Sequence, residues 1–281
     1  MSDGEDEERL IRRILIALDA SPHSLTALRA AAELAARLNA ELSGLFVEDI
    51  NLLRMADLPF ARQVSFYSAT TSQMDRQQIE IQLRAQAAQA RRALMSLSER
   101  ARLRSTFRVV RGHIPTELLQ AASEADLIIL GRSGWSHRRQ LGSTARVIIA
   151  QSPRHTLVLH QEARLQQASA VLYDGSEESR RALSIALSLM REHERLVFVL
   201  LLTKNVEEAR SMQNEAVNLL RPHYKEARFR WLIKADPDVI KRIIQTEQLG
   251  ALIIPAKTNL FSNEEMMELL NKIDIPVWIV R

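Results

Sequence analysis

Apolar positions along this chain come as short unbroken runs separated by longer amphipathic stretches. In the first half, runs at 14–18, 42–47, 106–111, 127–130 and 156–159 read as strands. In the second half the same reading applies at 171–173, 196–202, 229–233, 252–254 and 277–280. Between the first five strands, residues 22–39, 73–102, 116–123 and 143–151 read as helices. Leu25, Leu28, Ala32, Ala35 and Leu38 form one apolar stripe at helical spacing, behind Pro22, which suits a first helical position. The run Leu127-Ile128-Ile129-Leu130 is apolar without alternation, as expected of a strand covered on both faces. Strands alternating with helices of this length predict crossover units and a parallel sheet. The expected fold class is α/β, with two tandem Rossmann-like domains, each a five-stranded parallel sheet with helices on both faces.

The number of domains follows from a repeat. Ile14-Leu15-Ile16-Ala17-Leu18-Asp19-Ala20-Ser21 carries an apolar strand into an acidic turn and a helix, and Ala170-Val171-Leu172-Tyr173-Asp174-Gly175-Ser176 does the same. Asp126-Leu127-Ile128-Ile129-Leu130-Gly131 is matched by Ala251-Leu252-Ile253-Ile254-Pro255-Ala256, and each half closes on a β-rich segment after a proline, Pro153 or Pro276. A length of 281 residues suits two such units. They are expected at 9–160 and 168–281, joined by a polar linker at 161–167. Their closing strands would pair as an intramolecular pseudo-dimer, with a homodimer as a further assembly.

Composition narrows the function classes. Apolar residues make up 46% and there is no cysteine, which excludes a disulfide framework, a thiolate metal site and a cysteine nucleophile. Aromatics at 5% do not provide a stacking platform for nucleic acid. The longest apolar run, 196–202, is a strand's length and short of the ~20 residues that span a bilayer. The start is acidic (Asp3, Glu5, Asp6, Glu7, Glu8), where a secretion signal needs basic residues, so a cytoplasmic location is expected. Charge is unevenly divided: residues 9–160 hold 21 arginines against 12 carboxylates, whereas residues 161–281 are balanced. A basic half suits anionic partners, although solvated arginine faces produce the same count. Residues 73–102, rich in Gln, Arg and Ala, carry Ile79, Leu83, Ala87, Ala90 and Leu94 at helical spacing and read as a packed amphipathic helix, not as a membrane or nucleic-acid surface. Residues 51–71 read as a long mobile loop beside the ligand edge, able to cover a ligand or meet a protein partner. The seven histidines show no metal-ligand spacing.

Ligands of open parallel sheets bind at strand carboxyl ends near the point where strand order reverses. Two motifs fall there. One is Asp19. The other is the segment from Gly131 through Gly134 to Gly142-Ser143-Thr144, which runs from a strand into a helix whose unpaired N–H groups and dipole suit a phosphate. Arg138 and Arg139 within it could clamp phosphate or project into solvent. Two glycines after a strand also fit a plain strand-to-helix turn.

These residues resemble the universal stress protein family, in its tandem two-domain form. The resemblance rests on the opening strand with Asp19-Ala20-Ser21, on Val47, on Gly112-His113-Ile114-Pro115, and most on the glycine segment, which looks like the family's Gly-x2-Gly-x9-Gly-Ser/Thr ATP signature. It implies an adenine nucleotide alpha hydrolase-like fold and ATP, or ADP or AMP, as ligand, with magnesium accompanying the phosphates. It places Asp19, Ala20 and Val47 at adenine and ribose, Leu130, Gly131 and Gly134 along ribose and phosphates, and Gly142, Ser143 and Thr144 at the phosphate end. Seven residues separate Gly134 from Gly142 where the family has nine, a shortening that extended chain would span in about 7 Å. The second half departs further, with Ala256 and Asn259 in place of the glycines and Glu264 and Glu265 in the following first turn. The expectation is a nucleotide-responsive stress protein that is not an enzyme and whose second domain has lost ATP. A nucleotide-independent interaction module with a vestigial site, and a weak ATPase, are the alternatives.

Overall fold

In a computed structural model the described residues are 11–64, 71–132, 141–159, 168–190, 196–223, 226–233, 236–258 and 261–281. The first half runs β1 (Arg13–Ala17), α1 (Pro22–Leu38), β2 (Glu41–Asp49), α2 (Ile50–Ala56), β3 (Arg62–Val64), β4 (Thr71–Gln73), α3 (Arg76–Ala101), β5 (Ser105–Gly112), α4 (Ile114–Ala122), β6 (Leu127–Gly131), α5 (Ser143–Gln151) and β7 (His155–Leu159). The second half runs β8 (Ser169–Tyr173), α6 (Glu177–Leu189), β9 (Leu196–Thr203), α7 (Val206–Leu220), a 3-10 turn (Arg221–His223), β10 (Glu226–Ile233), α8 (Pro237–Thr246), β11 (Ala251–Pro255), α9 (Asn263–Lys272) and β12 (Val277–Val280).

Ten of these strands form one sheet in the order β10-β9-β8-β11-β12-β7-β6-β1-β2-β5, and β3 and β4 form a separate hairpin. Within each half all pairs of the ten-stranded sheet are parallel, as crossover helices require. The halves meet in one antiparallel pair, β12 on β7, with Trp278 opposite Leu157 and Ile279 opposite Thr156. Because strand side chains alternate, the sheet divides its apolar residues between two layers. Ile14, Ile16, Leu157 and Trp278 pack on the face covered by α1, α3 and α6. Leu15, Val158, Val277 and Ile279 pack on the other face, with Ile148 of α5 and Leu269 of α9. Both layers run through the antiparallel seam, so the halves share their core.

Three sequence expectations are corrected here. The stretch 51–71 is not one long loop: α2 occupies its start, capped by Asp49, whose carboxylate accepts the Asn51 N–H at 2.9 Å, and β3 and β4 follow. Seven residues are too few for a helical stripe to stand out, and Leu53 alone is buried. The long helix starts at Arg76, not residue 73, because Asp75 caps it and Gln73 already pairs in the hairpin. The helix expected from 116 starts at Ile114, with Pro115 in its first turn. The expected linker at 161–167, and residues 65–70 of the expected loop with Phe66 and Tyr67, lie outside the described residues.

A titrating contact closes the seam. The Arg281 backbone N–H donates to His155 Nδ1 at 3.0 Å, and the Arg281 guanidinium donates to the Ile149 carbonyl at the end of α5. Burial pushes the His155 imidazole below its ordinary 6.5, with Asp126 opposing that and Arg154, Arg181 and Arg281 adding to it. Neutral His155 therefore stabilises the fold above about pH 6.5, and that contribution is lost as pH falls through the lower folded value. The thermal midpoint of the wild type is expected to fall between about pH 7 and about pH 5 by more than that of His155→Asn, which keeps an acceptor without titrating. Parallel pH profiles for the two proteins would contradict this.

Candidate functional site

The chain leaves β1 toward β2 and leaves β6 toward β7, so strand order reverses between β1 and β6 and opens a crevice at their carboxyl ends. The turn after β1 is built by short polar side chains. Asp19 Oδ1 accepts the Ser21 N–H at 3.0 Å, and Ser21 Oγ accepts the Ser24 N–H at 3.1 Å, capping α1. These bonds hold Ala20 at φ 55°, a left-handed conformation that costs an L-residue roughly 1–2 kcal/mol. The second half builds the same turn. Asp174 Oδ1 accepts Ser176 N–H at 3.1 Å, Ser176 Oγ accepts Ser179 N–H at 3.1 Å, and Gly175 takes the positive φ, at 76°.

Below the first turn lies a cavity of about 350 Å³. Its apolar wall is Ala17, Leu18, Leu45, Val47, Ile114, Leu118 and Leu130, and its polar rim is Asp19, Ser21, Ser24, Gly131, Arg132, Gly142, Ser143 and Thr144. A second cavity of about 340 Å³ adjoins it and shares Asp19, Val47 and Ile114. Phe46, Leu52, Ile79 and Leu83 make it apolar, and Gln82 and Gln86 bring amides to it. Asp19 and Val47 thus stand where the two spaces meet.

Of the residues singled out from sequence, Asp19, Val47, Leu130, Gly131, Gly142, Ser143 and Thr144 all line the first cavity. Ala20 is buried in the turn, behind the wall instead of in it. Gly134, together with Trp135, Arg138 and Arg139, lies outside the described residues. Sequence reasoning named Ile114 only within a family motif and did not place it at the site, nor Leu118, although both reach the cavity because α4 packs against β1 and β2; it also left out Arg132, the residue after β6. The apolar spacing of α4 carries a signal for the first two. Nothing in the sequence marks Arg132.

Helix entry separates this crevice from the rest of the described residues. Seven helices begin on a side chain that accepts a first-turn N–H: Ser21, Asp49, Asp75, Ser176, Asn205, Asp236 and Ser262. The two that do not are α4, entered at His113, and α5, entered at Gly142. Both open on the crevice, through Ile114 and through Gly142, Ser143 and Thr144. A helix start without a side-chain cap presents N–H groups and the positive dipole end to whatever lies before it.

The counterpart of α5 in the second half is α9, and it is closed. Ser262 Oγ accepts the Glu265 N–H at 3.1 Å, and the Glu265 carboxylate accepts the Ser262 N–H at 2.7 Å, a complete capping box. That backbone donor holds the Glu265 carboxyl below its ordinary range. The Ser262 hydroxyl therefore takes a first-turn N–H of the kind that α5 leaves without a side-chain acceptor, and the Glu265 carboxylate adds negative charge beside it. Phe261, standing where the first half has Leu141, is buried beside it. Among the described residues no group of three His, Asp or Glu side chains stands ready to hold a metal ion, and no helix is long and apolar enough to cross a membrane.

Residues 10–160, more than half of the chain, match the sequence model of the universal stress protein family. No curated protein matches the chain. Among solved structures, a universal stress protein from Archaeoglobus fulgidus DSM 4304 is similar along its whole length, with a TM-score of 0.74 at 14% identity over 95% of each chain. A protein of unknown function from Pseudomonas aeruginosa PAO1 gives a TM-score of 0.61 at 13% identity, over 98% of this chain and 94% of that one. At these identities the likeness is one of fold.

Proposed function

The chain belongs to the universal stress protein family, and from that membership we propose that its first half binds ATP, or a related adenine nucleotide, in the crevice between β1 and β6. The family carries a role in stress response. Within it, this chain acts as a nucleotide-responsive regulator and not as an enzyme. The observation that supports the reading best is the pair of helix starts without a side-chain cap that open on a cavity with an apolar wall and Asp19 on its rim. An adenine nucleotide has the matching polarity: a flat base with apolar faces, a ribose with hydroxyl donors, and an anionic tail.

The apolar surface of Val47, Ile114 and the second cavity suits the base, and the Asp19 carboxylate suits a ribose hydroxyl. The start of α5, with the Ser143 and Thr144 hydroxyls, suits the phosphates, and charge-assisted bonds of that kind contribute roughly 1.5–3 kcal/mol each. Magnesium would arrive with the phosphates. The arginine-rich composition of the first half favours approach of an anion at long range. In the second half the α9 capping box sets a carboxylate against an incoming phosphate, and that half is proposed to have lost the ligand. Bound nucleotide would act by favouring one conformation of the chain over another.

Calorimetry on the purified chain tests this. Asp19→Ala is expected to weaken ATP by about 10- to 100-fold, the loss of one charge-assisted hydrogen bond. Asp174→Ala, at the repeated turn, should leave the affinity within twofold of wild type. Loss of ATP only in Asp174→Ala would reverse the assignment of the site to the first half. Phosphate release that Ser143→Ala abolishes would instead favour a weak ATPase.

A further inference from the structure

The glycine segment of the first half is fastened to the second. Its base is closed within the first half, where the Gly142 N–H donates to the Arg132 carbonyl at 2.9 Å and the Arg132 N–H donates to the Leu159 carbonyl at 2.9 Å. From that base the Arg132 side chain reaches into the other half. It is 6% exposed, and its guanidinium donates to the Asn271 carbonyl at 2.6 Å, the Ile273 carbonyl at 2.5 Å and Asp274 Oδ1 at 3.2 Å. Those carbonyls lie at the C-terminal end of α9, where backbone acceptors have no partner within the helix and the dipole favours a cation. Asn271 acts twice: its carbonyl takes Arg132, and its Oδ1 accepts the Leu141 N–H at 3.0 Å. One residue of the second half therefore holds both ends of the segment that leads into α5.

We infer that Asn271, acting with Arg132, makes the second half a positioning frame for the entry to α5 in the first, at Leu141 and Gly142. The mechanical part stands on these bonds alone, and its consequence for ligand binding rests on the nucleotide reading proposed above. Gly142 and Ser143 line the crevice, and Leu141, immediately before them, is buried, with its N–H held by the Asn271 amide. Without that acceptor the Leu141 N–H loses its bond, and the entry to α5 shifts against β6. Asn271 is not among the residues that line the cavity and acts on them through Arg132 and through Leu141, the neighbour of Gly142, so it is a positioning residue. The second half then retains a use that its own closed helix start does not supply.

The test compares full-length wild type, Asn271→Ala and Asn271→Asp by calorimetry with ATP and with adenosine, and by hydrogen exchange of the segment 131–142 without ligand. Asn271→Ala is expected to weaken ATP about tenfold, leave adenosine within twofold, and speed exchange of the segment. Asn271→Asp keeps an Oδ1 acceptor and should restore all three. Exchange unchanged in Asn271→Ala overturns the frame, as does an equal loss of ATP and adenosine, which is the mark of general damage. If wild type binds neither ligand, the nucleotide reading falls and the exchange result decides the frame by itself.

Discussion

Gly142→Asp is expected to lose ATP binding by roughly 10- to 100-fold or more while the folded chain becomes slightly more stable. The two effects have opposite signs for one reason. Gly142 enters α5 at φ −61° and ψ 155°, the extended geometry of a capping residue, but offers no side-chain acceptor. An aspartate there would accept a first-turn N–H, a gain of a few tenths of a kcal/mol over glycine. The same carboxylate would occupy the anion position and repel phosphate, which combines in one side chain of the first half the cap of Ser262 and the negative charge of Glu265 at α9. The pairing of measurements gives the test its force. Weaker ATP with a lower thermal midpoint would be ordinary damage, and unchanged ATP would mean that the α5 start does not face the phosphates.

Arg132→Met is expected to destabilise the chain by about 3 kcal/mol, the largest stability effect of any change proposed for this site. Methionine keeps much of the apolar stem, so the loss isolates the guanidinium. Removing it strands the buried carbonyl of Ile273 and the part-buried one of Asn271 at the helix end, and an unsatisfied buried acceptor costs about 1–3 kcal/mol. The bond to Asp274 adds little, because that carboxylate is largely exposed. Urea unfolding would read the change directly, and a loss under about 1 kcal/mol would show that water or neighbouring donors take over. For comparison, removing any of the exposed ion pairs, such as Arg181 with Glu177, should cost well under about 1 kcal/mol.

The duplicated turn shows what sequence can carry. Asp19-Ala20-Ser21 and Asp174-Gly175-Ser176 have the residue types that cap a helix and close an Asx turn, and both halves fold them alike, including the positive φ of Ala20 and Gly175. Parallel strands were legible for the same reason: runs such as 127–130 leave no alternation for a solvent face. Short elements were not. In α2 only Leu53 is buried, and a single apolar residue has no period. The Ser262-Asn263-Glu264-Glu265 start of α9 was visible as a repulsive pair of carboxylates. Its stronger role, as a closed capping box, depends on the Glu265 side chain turning back to Ser262, which spacing suggests and geometry settles.

Contacts between the halves were the least legible. Arg132 follows Gly131 in a segment where an arginine reads as either phosphate clamp or solvated charge, and nothing in the surrounding residues points to α9, about half the chain away. The antiparallel β12 and β7 seam brings them together, and with it the Asn271 amide and the Leu141 N–H. A site read from one half alone therefore contains its lining but lacks its support.

The most direct measurement is the stoichiometry of ATP binding to the full-length chain by calorimetry. One ATP per chain, lost in Gly142→Asp and kept in Asp174→Ala, is the expected result. No heat at millimolar ATP, or two equivalent sites per chain, would contradict it.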